Sequence, residues 1–409
     1  MQAHESNTAA TVHVMLIRGR LLLDAAQPPA PGWLTIEDGR IHKIGTGKPP
    51  EKAALGDADA LICPGFIDAH LHFPQIDCVG HDGLELMDWL ERIIYPAEMR
   101  WEEQDIAGNQ IRAAYQRMLQ TGTLGYAAFL TSHFHGYEQA VRAGHTLPLR
   151  GYVGQSMMDR HAPEALLNQR LTRIARSERS RVTASVNPRF AVTCSEEMLE
   201  AAHKKIRDDS IVHTHLAESQ RECEMVRELF PDDANYAAVY DRFGLLGPRT
   251  LLAHAIHLSK AEWELIGQRG CSVVHCPGAN VFLQSGVFDL GAAREHGVRV
   301  ALGSDIAAGP DIAMPRVARA MIETAKMRRM TLDPNAIVPT PAEVWQLITR
   351  GNADALGWDD AGRIETGAAA DLLLLRAPFD LDDEHLVGRL LYGWRDEWIE
   401  RRVVNGVLQ

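Results

Sequence analysis

The sequence has no C-x-x-C pair, no apolar run as long as a bilayer is thick, and no excess of positive charge. Each absence removes a class of function. The six cysteines, Cys63, Cys78, Cys194, Cys223, Cys271 and Cys276, read as reduced core residues rather than a disulfide framework. The lack of an apolar span argues against a membrane protein. Met1 to Thr11 are polar and include Glu5, with no basic stretch running into an apolar core, so no signal peptide is expected and a cytoplasmic location follows. The 42 Lys and Arg stand against 54 Asp and Glu, a net charge of -12, which repels phosphate backbones and speaks against a nucleic-acid polymer as partner. Solenoid repeats and low-complexity tracts are also missing.

What is present is length and pattern. With 409 residues, 46% hydrophobic and 23% charged, the chain can bury one large α/β domain and a smaller appendage. From Val12 to Leu61 it reads as short strands and turns, with a turn at Asp38-Gly39 inside WLTIEDGRIHKIG. From Ile62 onwards short apolar runs alternate with longer amphipathic segments, the pattern of a parallel sheet with crossover helices. Strands are predicted around 62–70, 122–130, 149–156, 181–189, 211–216, 250–254, 271–276 and 298–304, and helices at 104–121, 196–207, 259–269 and 311–328. Eight strands are what a (β/α)₈ barrel needs. After about Leu356 the strand-and-turn character returns in GRIETG, ADLLLL and WIERRVVNGVLQ. The expected fold is an α/β (β/α)₈ TIM barrel over 65–356, with a small β-sandwich built from both chain ends, 1–64 and 357–409.

The sharpest local signal is Pro64-Gly-Phe-Ile-Asp-Ala-His70-Leu-His72, which ends a strand with histidines at i and i+2. Side chains two apart share a strand face, so both imidazoles can grip one divalent ion at the end of the barrel where such enzymes keep their chemistry. Alone, H-x-H is as readily two histidines on a polar loop. Here it has company: His215 closes IVHTH, His254 closes TLLAH, and Asp305 follows VRVALGS. Three histidines and a carboxylate at strand ends can build a hydrolytic metal site with an open water position. His213 competes with His215 but lies further from the strand end and reads as a buried structural residue. His257 competes with His254 but falls in the loop beyond it. His133 and His135 in TSHFH read as rim or structural residues, and His275 as a candidate for the pocket floor.

The stretches PGFIDAHLHFPQ, LMDWLERIIYPAE, PRFAVTCSEE, HTHLAES, LLAHAIHLS, HCPGANVFLQSGVFDL and LGSDIAAG together resemble the guanine deaminases of the amidohydrolase superfamily. The resemblance runs from the first barrel strand to the last. It implies that His70, His72, His215 and Asp305 bind zinc, that Glu218 shuttles the proton, and that His254 steadies the attacking water. Gln75, Arg189 and Phe190 match purine-recognition positions. Strand four, RVTASVNPRF, holds no lysine to bridge a second metal, so one ion per chain is implied, with iron or manganese as possible replacements. Relatives are usually homodimers. AAGP after the aspartate and MMDRHAP depart from the family's usual form.

On this reading guanine is hydrolysed to xanthine and ammonia. Asp305 and His254 take a proton from the activated water, and a protonated Glu218 delivers one to the ring nitrogen and then to the leaving amine. Arg189 and Gln75 supply donors and an acceptor to the base edge, favouring an oxo purine over adenine. Phe190 and Trp89 can wall the ring. The competing readings are an ordinary core role for Trp89, a salt bridge for Arg189 and a helix-dipole role for Glu218. At the level of the whole chain, one rival is a deaminase or chlorohydrolase of another heterocycle (8-oxoguanine, a pterin, a triazine, an adenosine-like ring). The other is a metal-free binding relative. The deaminase architecture built on H-x-E with P-C-x-x-C is excluded by the missing C-x-x-C.

Overall fold

The structure, a computed structural model, describes residues 14–168, 171 and 180–409; the polar start Met1 to Thr11 lies outside them. Eight parallel strands surround the barrel axis: Phe66–His72, Thr123–Phe129, Arg150–Gly154, Val182–Ala184, Val212–Leu216, Thr250–His254, Ser272–His275 and Arg299–Leu302. They pair as two four-stranded arcs, joined on one side by a bridge between Val186 and Val212. Parallel strands covered by crossover helices are buried on both faces, which is why they read as near-continuous apolar runs. Phe66–His72 and Thr123–Phe129 are buried at every position.

The other seam, between strands eight and one, is closed by polar groups. The Asp305 backbone N–H donates to His70 O at 2.8 Å and His72 N–H to Ile306 O at 3.2 Å. Asn352, buried, donates to Ile67 O at 2.6 Å and Leu302 O at 2.8 Å, and accepts from Leu302 N–H at 2.8 Å. Gly303 permits the close approach, because a Cβ there would lie 2.6 Å from the His70 Cβ.

The run predicted as one strand over 62–70 is split at Gly65. Leu61–Pro64 belongs to a second sheet, and Phe66–His72 begins the barrel. That second sheet has seven strands, in the order Val407–Leu408, Ile399–Val404, Leu372–Leu375, Leu61–Pro64, Met15–Leu21, Ala30–Glu37, Arg40–Thr46. Both chain ends therefore contribute to it. What the sequence suggests as a sandwich is built as one continuous sheet folded over its own core of Ile17, Leu34, Ile36, Ile41, Ile62, Leu372, Leu374 and Val403. The fold-back is held by Ile41 N–H to Ala368 O at 2.9 Å and Ala370 N–H to Gly39 O at 2.8 Å. The hairpin turn at Asp38-Gly39 has both central residues left-handed, φ 48° and 76°, as a two-residue type I′ turn requires.

Helices occupy Gln104–Thr121, Glu196–His203, Lys260–Gln268 and Met314–Thr331, the last displaced by three residues from its predicted bounds. A helix at Leu386–Gly393 within the C-terminal segment has no counterpart among the predicted elements. All six cysteines are free. Among the described residues no helix is long and apolar enough to cross a membrane.

Candidate metal centre

Barrel strand one turns His70 and His72 inward, strand five His215, strand six His254, and the chain beyond strand eight Asp305. One ligand atom from each of His70, His72, His215 and Asp305 falls within 4.8 Å of all the others. Asp305 Oδ1 lies 3.2 Å from His70 Nε2 and 3.3 Å from His72 Nε2, and His72 Nε2 lies 3.2 Å from His215 Nε2. Asp305, His254 and Ala217 all have left-handed backbones, φ 48°, 70° and 50°. Each such residue costs about 1–3 kcal/mol, and residues of this kind cluster where geometry is over-determined for function.

The donor set fits a divalent cation. His215 Nδ1 donates to the Arg189 carbonyl at 2.7 Å, so its Nε2 carries a lone pair. His254 Nδ1 donates to the Asn280 amide oxygen at 2.9 Å. His70 Nδ1 sits 2.7 Å from His213 Nε2; with His70 as the donor there, its Nε2 is left bare. His70 Nε2, His254 Nε2 and Glu218 Oε1 are buried with no hydrogen-bond partner, and three unsatisfied polar atoms around one point are what a cation and its water would satisfy. Burial pushes His70 down to about 4 and holds His72 and His215 below the usual histidine range, which keeps them neutral ligands at pH 7.

The two carboxyls are driven apart. Burial opposes the charge on Asp305, but the surrounding His70, His72 and His254 outweigh it and hold the acid well below its ordinary range. Glu218 is pushed well above its ordinary range by burial, then by the negative Asp305 and Glu222. A pair of carboxyls separated in this way provides one base and one acid. Glu218 Oε2 is 3.4 Å from His254 Nε2. Its backbone is fixed by a capping box: Glu222 accepts from Glu218 N–H at 2.7 Å and from Ser219 N–H at 3.2 Å, while Tyr236 OH donates to Glu222 at 2.6 Å.

Above the cluster is a small cavity of about 30 Å³. Its apolar walls are Leu86, Trp89, Leu90, Phe190, Leu283 and Ala308, and its polar residues are His72, Gln75, Arg189, His215, Glu218 and Asp305. Each residue given a ligand, proton-transfer or base-recognition role in the sequence reading therefore borders the cavity or the ligand cluster. A wider groove near Leu22, Trp345 and Arg363, between the small sheet and the barrel, touches none of these groups.

Two residues lie where both of their readings would place them. Trp89 is packed into the core and also walls the cavity, with its indole N–H unpartnered. Arg189 is in a salt bridge, to buried Glu98 at 2.7 Å, and also faces the cavity. Ala308 of the unusual AAGP lies in the wall. His135 donates to Trp101 O at 2.7 Å, His133 pairs with Thr131 at 2.8 Å, and His257 donates to Ser285 O at 2.7 Å, all outside the ligand cluster. His275 stacks on Phe288, away from the cavity lining, so it does not form the floor. Sequence reasoning passed over Glu98, Glu222 and Asn280. Of these only Glu222 had a local signal, the S-x-x-E box from Ser219.

The Amidohydrolase family profile matches residues 61–408. The chain is 32% identical to the guanine deaminase of Escherichia coli over 361 residues, covering 84% of this chain and 81% of that protein. It is 29% identical to the guanine deaminase of Rattus norvegicus, covering 88% and 85%. The structure is similar to a guanine deaminase from C. acetobutylicum with guanine bound in the active site, at TM-score 0.89 and 26% identity, covering 97% of this chain and all of that one.

Proposed function

The chain belongs to the amidohydrolase family, and from that premise we propose that it deaminates guanine to xanthine and ammonia, with one zinc ion held by His70, His72, His215 and Asp305. The observation that supports this most directly is the convergence of those four ligand atoms beside a cavity lined by Trp89, Phe190, Arg189 and Gln75.

When bound, the ion supplies Lewis acidity, bringing a water's pKa down to about 7. Asp305, kept ionised, accepts the water's proton, and His254, its Nδ1 fixed by Asn280, directs Nε2 at the same point. Glu218, kept protonated, has an unpartnered Oε1 available to a ring nitrogen. It protonates that nitrogen as oxygen adds to C2, takes up the proton released by the new C2 hydroxyl, and passes it to the amine as the C2–N bond breaks; the proton held by Asp305 then restores Glu218. Arg189 holds the carbonyl oxygen, and Phe190 and Trp89 keep the ring flat and dry.

The test is xanthine formation from guanine by zinc-loaded protein, with 8-oxoguanine and a pterin as controls. Turnover of a control ring without turnover of guanine would overturn the substrate, and stoichiometric iron or manganese in place of zinc would overturn the metal. A cytoplasmic homodimer completes the proposal, and sedimentation of a monomer at micromolar concentration would remove that part.

A further inference from the structure

Glu98 lies on none of the cavity walls, yet it sits behind both polar recognition residues. Arg189 donates to both of its oxygens, at 2.8 and 2.7 Å, and both bonds come from the same terminal nitrogen of the guanidinium. That end-on contact turns the rest of the fork toward the cavity, unlike a side-on pair, which would use two nitrogens. Gln75 donates its amide nitrogen to the same carboxylate at 3.1 Å. A carboxylate in a salt bridge can only accept, so the amide must turn its nitrogen to Glu98 and its carbonyl the other way. All three side chains are buried, and the Tyr95 ring lies 5.6 Å from the guanidinium.

We infer that Glu98 is a positioning residue that sets the polarity of the recognition edge, a guanidinium donor beside a Gln75 carbonyl acceptor, and so selects heterocycles presenting a C=O next to a ring N–H. This rests on the substrate site proposed above and names its class as lactams. An adenine-type edge, amino group beside a bare ring nitrogen, offers the reverse pattern and leaves two buried groups unpaired.

Binding of hypoxanthine, which has the lactam but no 2-amino group, and of purine, which has neither, by the zinc-loaded protein tests this without turnover. Wild type should prefer hypoxanthine. In Glu98→Gln, with zinc content and circular dichroism unchanged, hypoxanthine affinity should fall about 10–100-fold, the scale of a hydrogen bond to a buried charge, and purine affinity less than about threefold. Glu98→Asp, which keeps the charge but pulls it back from Gln75, should show the same bias at smaller size and serves if the glutamine variant does not fold. A parallel loss for both ligands, an unchanged ratio in either variant, or a wild type that binds purine as tightly as hypoxanthine overturns the inference. Protein that keeps a Glu98-dependent ratio but releases no ammonia from guanine overturns the deaminase reading alone.

Discussion

The small sheet and the barrel mouth use the same unusual backbone conformation in opposite ways. In the sheet, left-handed residues are Asp38 and Asn405, each followed by a left-handed glycine in a hairpin turn. Asp and Asn tolerate that region because their short polar side chains bond locally. At the mouth they include Ala217, His254, Ala255 and Asp305, and the two alanines have no side chain that could favour that region. Buried polar atoms divide the same way. The sheet's core is aliphatic, and its unpartnered Trp33 Nε1 and Thr35 Oγ1 belong to no ligand cluster, whereas the mouth gathers His70 Nε2, His254 Nε2 and Glu218 Oε1 within one site. In one region residue choice relieves the backbone; in the other strain and unpaired polarity persist where the proposed ion and substrate would satisfy them.

The harshest trial of that contrast is Asp305→Ala. It deletes one of the four converging ligand atoms, the carboxylate among them. Metal content after dialysis should drop from about one equivalent to almost none and deamination should vanish, while the metal-free protein keeps its circular dichroism spectrum. Retention of a full equivalent would dissolve the proposed centre. Next in size is Glu218→Gln, isosteric and not a ligand. Turnover should fall more than about a hundredfold, as expected of a general acid, with metal retained. A near-normal rate would return Glu218 to the bland role of complementing a helix dipole.

The sequence made the mouth easier to read than its supports. H-x-H, the strand-ending His215 and His254, and Asp305 all follow from strand period and from chemistry gathering at carboxyl ends. The Gly65 break stayed hidden because the apolar run Leu61–Pro64 passes into Phe66-Ile67 with no polar interruption, and only tertiary pairing separates the two strands. Glu98 reaches Arg189 across 91 positions and Asn352 reaches Ile67 across 285. No local period records such pairs.

Asn352 lets the seam be tested apart from the chemistry. Asn352→Leu preserves bulk but leaves Leu302 N–H unpaired and takes a donor from two buried carbonyls. Unpaired buried groups of this kind cost roughly 1–3 kcal/mol each, so chemical denaturation should show a loss of about 2–4 kcal/mol. Because the seam sets the distance between His70 and Asp305, metal affinity should weaken with it. A stability loss with unchanged metal affinity would show that the small sheet, rather than the seam, holds the mouth in register.

The smallest effect belongs on the sheet side. Asp57 is bonded by Arg376 at 2.8 and 2.6 Å, and that guanidinium draws its carboxyl from 3.8 down to about 2. A depressed acid contributes stability that is full above its unfolded value and is lost as pH falls through the folded one, here between about pH 4 and 2. The side chain is 54% exposed, so solvent and salt screen most of that contribution, and Asp57→Asn should cost less than about 1 kcal/mol at pH 7. The melting difference between variant and wild type should close near pH 2 and shrink in 0.5 M salt, while guanine turnover at pH 7 stays the same. A change in turnover would mean that the sheet's surface charges reach the mouth, and the separation between a self-sufficient sheet and a ligand-dependent barrel end would fail.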